Sequence, residues 1–216
     1  MIERILGAGV VAVESLTDPP DVVLFPEEEA VVARAVAKRR REFTTARHCA
    51  RQGLAKLGYP AMPLLPGERG APQWPAGVVG SITHCAGYRC AAVARESEVV
   101  TVGIDAEPHE PLPGGVLEAV ALPAEHARLG ALPQSSIHWD RILFAAKESV
   151  YKAWFPLTRR WLNFHEADIT FDPERGEFDA ALLVPGPVVD GRELTGFSGR
   201  WLVSDGLALT AIMVTR

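Results

Sequence analysis

Asp105 and Glu107 stand at the end of the apolar run Val99–Asp105. In an extended chain, positions i and i+2 point to one side, so both carboxylates can face a single ion. Further along, Glu148 and Lys152 stand four residues apart in the helical stretch Trp139–Phe155 and share a face. Lys147 lies about 100° round the helix from Glu148. Three hard oxygen ligands flanked by two ammonium groups suit a magnesium ion carrying a phosphate-bearing substrate. Each half also has a plainer reading. The strand acids can be solvated where the chain runs out into a loop. The helix charges can be a surface pair worth about 0.3–0.5 kcal/mol. The helix itself speaks against the second, because Ile142, Leu143, Phe144, Ala145 and Ala146 precede the charges. A helix apolar on most of its circumference is buried, and buried charges need partners.

A second apolar strand ends in Ser81-Ile82-Thr83-His84-Cys85. His84 and the hydroxyl of Thr83 can hydrogen-bond phosphate oxygens, although a lone histidine is more often structural. Cys85 and His84 form no nucleophilic dyad, since neighbours in a strand point to opposite faces. The basic run Lys38-Arg39-Arg40-Arg41 is followed by Arg47 and Arg51. Arg39, Arg47 and Arg51 broadly share one side of a helix, which can meet a terminal phosphate or stay solvated. Nucleic acid is a poorer ligand: Glu27–Glu29 precede the run and no aromatic ladder accompanies it. Gly77-Val78-Val79-Gly80-Ser81 lacks the G-K-[ST] ending of a phosphate loop, and neither G-x-S-x-G nor H-E-x-x-H occurs.

The elements that must hold these residues follow from periodicity and turn chemistry. Residues 10–16 form a short strand. Glu27 to Leu57 is helical and long, with a break expected near Lys38–Arg41. Residues 60–77 form a loop with five prolines and three glycines, anchored by Leu64, Leu65 and Trp74. Val78–Thr83, Arg89–Ala94 and Val99–Asp105 are strands. A short helix covers Ala124–Leu129. Leu143, Ala146, Val150 and Trp154 give the Trp139–Phe155 helix its apolar stripe, and Pro156 is expected to end it. The remainder is strand-rich: Ala167–Phe171, Phe178–Val184, and Trp201–Thr215 folded about Asp205-Gly206. The pattern is α+β, in two halves, residues 1–100 and 101–216.

The chain has 216 residues, a 48% apolar share and a formal net charge of −5. It can bury a core, and its charge argues against a nucleic-acid partner. Cys49, Cys85 and Cys90 are odd in number and lack C-x-x-C spacing, which fits a reducing compartment and no disulfide framework. No apolar run is long enough for a membrane span, and no secretory segment opens the chain. A soluble, cytoplasmic protein is expected.

Val102-Gly103-Ile104-Asp105 and Lys147-Glu148-Ser149-Val150-Tyr151-Lys152 resemble the paired signature, (V/I)-G-(I/V)-D with K-E-x-x-x-K, of the 4′-phosphopantetheinyl transferases. The likeness extends over Arg39–Leu57, Gly67–Pro72 with Trp74-Pro75, Gly80–Tyr88, Gly103–Pro108 and His138–Leu162. It is of the Sfp and enterobactin-synthase-associated type, most like the actinobacterial PptT enzymes. The resemblance implies a monomer of two similar α+β halves in a pseudo-twofold arrangement, with coenzyme A in the cleft between them. It implies a magnesium or manganese site at Asp105, Glu107 and Glu148, and pyrophosphate contacts from Lys147 and Lys152. Arg39, Arg47, Thr83 and His84 would hold nucleotide phosphates, and Arg69 would lie near adenine and ribose. Pro66 and Ala71 stand where some relatives carry lysine, which leaves the 3′-phosphate contacts of that loop open. The implied reaction moves phosphopantetheine from coenzyme A to a serine of an apo acyl or peptidyl carrier protein. The product is 3′,5′-ADP, and Glu148 is the first choice of base, with Lys147 and Lys152 as catalytic cations. Leu112, Val116 and Leu117 in the loop 109–123 are the expected docking residues. A magnesium-dependent nucleotide phosphohydrolase and a non-catalytic coenzyme A or carrier-binding module are the alternatives.

Overall fold

The computed structural model describes residues 1–133 and 136–216. Its first unit begins with strand β1 (Val10–Ser15), followed by helices α1 (Pro26–Val32) and α2 (Ala37–Lys56). Strands β2 (Val78–Cys85) and β3 (Tyr88–Arg95) then form a hairpin whose turn, Ala86-Gly87, uses φ +74° at the glycine. The second unit opens with β4 (Val99–Pro108) and short helices α3 (Val116–Val120) and α4 (Pro123–Ala131), followed by α5 (Trp139–Thr158). It closes with β5 (Ala167–Asp172), β6 (Glu177–Leu182), a two-residue pair β7 (Val188–Val189) and β8 (Arg192–Glu193), β9 (Gly196–Ser204) and β10 (Leu207–Thr215).

Both main sheets are antiparallel, in the orders β1-β3-β2 and β4-β10-β9-β6-β5. The two units share a winding. A first strand is followed by a 20-residue helix, and the chain returns as an antiparallel meander whose last strand pairs with the first. The fold is α+β, as expected.

The units meet where β4 lies beside β2, and hydroxyls replace the missing ladder. Ser81 Oγ accepts from Ile104 N at 3.1 Å and Thr83 Oγ1 from Ala106 N at 3.2 Å. Those two N–H groups of β4, on the edge of its sheet, would otherwise lack partners. The alternating register of β4 sends Val102, Ile104 and Ala106 into a core shared with Cys90, Ala92 and Leu209. Gly103, Asp105 and Glu107 take the opposite face. Gly103 has no side chain because α5 lies on it: a Cβ there would sit 2.1 Å from Ser149 O. Hydroxyls also tie α5 down, Thr101 Oγ1 to Ala153 O and Thr210 Oγ1 to Ala145 O, each at 2.9 Å. Trp139, Leu143, Ala146, Val150 and Trp154 fill the core beneath it.

Among the boundaries that differ from the sequence expectation, three bear on the site. The first helix breaks at residues 33–36, just before the basic run, where Val36 adopts an extended backbone. The fully buried Glu28 ties α1 to α2 and to the loop that follows, accepting from Arg51 Nη1 and from Leu64 N. Strand β4 continues to Pro108, so Asp105 and Glu107 lie within it opposite Thr210 and Ala208. Helix α5 does not stop before Pro156 but runs on to Thr158. Proline in a last turn forfeits one backbone bond without unwinding the turn.

Candidate active site

Asp105 is the centre of the arrangement. Gly103 brings α5 against β4, and one strand repeat further Asp105 meets the next turn of that helix. Lys152 Nζ lies 2.6 Å from Asp105 Oδ1 and also donates to Ile104 O at 3.1 Å. Thr83 Oγ1, having accepted from β4, donates to the same Asp105 oxygen at 3.0 Å. Asp105 is 4% exposed, and its second oxygen, Oδ2, is buried with no hydrogen-bond partner. Glu107 lies one strand repeat on and pairs with Arg141 Nη1 at 3.0 Å. Burial, and then the charge of Asp105, raise the Glu107 carboxyl above the usual carboxylate range, against the pull of Arg141. Glu148 is raised by the same two causes, against the pull of Lys152.

Among the described residues no three of His, Cys, Asp and Glu are grouped so as to hold a metal as they stand. Lys152 sits on Asp105, and Arg141 holds Glu107. The donor set nevertheless fits a hard cation. A buried carboxylate oxygen is unpartnered, and two neighbouring carboxyls are raised first by burial and then by its charge. A divalent cation would satisfy the first and relieve the second.

Lys147 is not brought to this cluster. Its ammonium is buried, 2.8 Å from Glu125 Oε2, 2.6 Å from Phe164 O and 2.9 Å from Ala167 O. Burial lowers its proton affinity, with Glu125 opposing. Glu125 in turn accepts from Leu122 N and Ile169 N, each at 2.7 Å. The pair fastens α5 to α4 and β5, so the expected pyrophosphate contact from Lys147 would need its ammonium to leave Glu125, Phe164 O and Ala167 O. Arg51 is likewise committed to Glu28 and does not join the phosphate-facing residues.

A cavity that takes in Glu148 and Lys152 is continued by a second. The larger, about 620 Å³, lies between the loop Gly67–Trp74, strand β2 and helix α5, with Glu148, Tyr151, Lys152 and Arg69 on its wall. The smaller, about 290 Å³, is lined by Arg39, Phe43, Arg47 and His84. Gly70, Pro72 and Ile82 border both, so the two are neighbours along one groove. Arg47 is buried, donates from Nε to Leu64 O at 2.7 Å and stacks on Phe43. Burial brings its guanidinium down to about 10, still cationic at neutral pH. Arg39 bonds His84 Nε2. Burial first, then Arg39, lower His84 below the usual histidine value; a neutral ring accepts from Arg39 and stays compatible with phosphate. Arg69 reaches over the ring of Trp161 at 5.2 Å.

Sequence reasoning passed over Arg141 and Glu125. Arg141 stands seven residues before Glu148, two turns along one face, and that spacing was its signal. Glu125 gave none: its role needs α4 placed against α5.

Asp105 thus lies within β4 between Lys152 and the Thr83 hydroxyl, beside a groove that carries Arg39, Arg47 and Arg69. The model of the 4′-phosphopantetheinyl transferase N-terminal domain matches residues 27–94, and that of the 4′-phosphopantetheinyl transferase superfamily matches residues 101–181. The chain belongs to the 4′-phosphopantetheinyl transferase family and is a transferase. It is 57% identical to the 4′-phosphopantetheinyl transferase Svp of Streptomyces mobaraensis, over 99% of this chain and 89% of that protein. It is 54% identical to PptT of Mycobacterium tuberculosis, over 93% and 90% of the two chains. It is 54% identical to Npt of Nocardia iowensis, over 98% and 99%.

Proposed function

We propose that this protein moves the 4′-phosphopantetheinyl group from coenzyme A to a serine of an apo acyl or peptidyl carrier protein and releases 3′,5′-ADP. The observation that carries the reading is Asp105, fixed by Lys152 and Thr83 through one oxygen while the other is buried and unpartnered. In the reaction the serine oxygen bonds to the β-phosphorus of coenzyme A. The bond from that phosphorus to the bridging oxygen breaks, and 3′,5′-ADP leaves with the electron pair. Glu148 takes the serine proton, directly or through a bound water. Lys152 faces the charge that develops on the leaving pyrophosphate oxygen. Arg39, Arg47 and His84 hold the terminal phosphate in the smaller cavity, with Arg69 over the nucleoside in the larger. A magnesium or manganese ion held by Asp105, Glu107 and Glu148 would supply further neutralisation of the pyrophosphate.

The shared winding supports a pseudo-twofold relation between the units 1–100 and 101–216. No helix among the described residues is long and apolar enough to cross a membrane, and the buried free thiols of Cys49, Cys85 and Cys90 suit the reducing compartment proposed for the protein. Incubation with coenzyme A, magnesium and a panel of apo-carriers, followed by weighing the carriers, tests the reading. A carrier heavier by one phosphopantetheine supports it, and a panel of unchanged masses refutes it.

A further inference from the structure

Asp105 and Glu107 leave β4 on one face, but they are held differently. Asp105 has a short side chain, fixed by Lys152 and Thr83. Glu107 has one more rotatable bond. Its one side-chain hydrogen-bond partner among the described residues is Arg141, whose Nη1 donates to Oε2 at 3.0 Å. Oε1 is left without such a bond. Arg141 is itself fixed at every nitrogen: Nε donates to Glu110 O at 2.9 Å and Nη2 to Pro111 O at 3.0 Å. The two side chains are only 13% and 23% exposed, which separates the pair from the solvent-exposed ion pairs that contribute little.

Neighbouring bonds strap the same segment to the start of α5. Asp140 Oδ2 accepts from Leu112 N at 2.7 Å, and His109 Nε2 accepts from His138 N at 3.0 Å. The chain that follows Glu107 is thus tied to the helix that carries Glu148 and Lys152. Arg141 and Glu148 are seven residues apart, two turns along one face of that helix. An unheld glutamate spreads its carboxylate over several rotamers, and a cation that needs it must first collect it. The guanidinium removes that cost and leaves one oxygen open. Outer-shell partners of this kind orient metal ligands, and losing one weakens metal binding about 10–100-fold.

We infer that Arg141 is a positioning residue of the cation site, holding Glu107 by Oε2 and leaving Oε1 for the ion. The inference rests on the magnesium or manganese site proposed above. Mn2+ titrated into the protein with coenzyme A present, the free ion being followed by its paramagnetic resonance signal, tests it without turnover. Arg141→Ala should weaken Mn2+ binding about tenfold or more. Arg141→Lys keeps the charge but not the fork and should fall between that variant and the wild type. In a Glu107→Ala background, Arg141→Ala should cost no more than about twofold further, because its effect passes through Glu107. Asp140→Ala loosens the same strap at Leu112 without touching Glu107. Its Tm should fall while its Mn2+ affinity stays within about twofold of the wild type. Unchanged affinity in Arg141→Ala overturns the inference, as does tighter binding, which would make the guanidinium a competitor of the ion. Equal losses with and without Glu107, or an equal loss in Asp140→Ala, also overturn it, because either would reduce Arg141 to part of the scaffold. A wild-type protein that binds no Mn2+ overturns it together with the cation site. Failed carrier modification beside the expected Mn2+ affinities refutes the transfer reaction alone.

Discussion

Asp105 makes two contacts through one oxygen and none through the other, so its charge is held in place but not fully used. Replacing it with alanine leaves Lys152 without its anion and removes the first acid of the proposed cation site. Transfer by folded Asp105→Ala should fall by about a thousandfold or more, as expected when several kcal/mol of electrostatic stabilisation are lost. Near-wild-type turnover would remove Asp105 from the chemistry. Glu148 allows a sharper test because activity and stability should move oppositely. Its folded-state proton affinity is raised by burial and by Asp105. A raised carboxyl contributes stability below its unfolded value and loses it as pH climbs through the folded value. Glu148→Gln should therefore melt higher than the wild type at neutral pH, show no such gain in acid, and transfer poorly. A Gln variant that is less stable at neutral pH would contradict the electrostatic account of this group.

At the scale of elements, the site depends on how closely α5 lies on β4, and Gly103 sets that distance. Gly103→Ala would force its Cβ against Ser149 O and the backbone of Ala153. We expect a loss of about 1–3 kcal/mol of stability, read by denaturant melts. Activity should fall at temperatures where the protein remains folded, because Lys152 and Glu148 ride on the displaced helix. An unchanged Tm would mean that the helix can shift freely. Much of this was legible beforehand. The apolar stripe of α5 and the period-two logic of the strand put Asp105, Glu107, Glu148 and Lys152 on the right elements, and Asp205-Gly206 placed the last hairpin. Lys147 was not legible. Its spacing gives an angle on the helix but not what lies there, and only the packing of α4 and β5 shows an ion pair with Glu125. The corner at residues 33–36 was legible only to within a few residues, since the break was expected near Lys38–Arg41 and no glycine or proline marks where it falls.

Over the whole molecule, the groove runs from Glu148 and Lys152 into the pocket of Arg39, Arg47 and His84, and crosses from one unit to the other. A phosphate-rich ligand lying along it should bind more weakly as salt rises, because partly exposed charges are screened. Arg47→Ala and His84→Ala should each weaken coenzyme A binding in calorimetry. Arg47 should have the larger effect, because it is cationic whereas His84 is held neutral. Identical dissociation constants in both variants would leave Arg47 as a loop anchor for Leu64 and His84 as a partner of Arg39 alone.

The central claim is that the phosphorus of the donor is attacked by a protein serine and not by water. It is tested most directly by following 3′,5′-ADP release from coenzyme A with magnesium, in the presence and absence of an apo-carrier. The account predicts one ADP for each carrier modified and no release when the carrier, or its serine, is missing. Steady release of ADP without carrier would contradict it and make the Asp105 centre that of a phosphohydrolase.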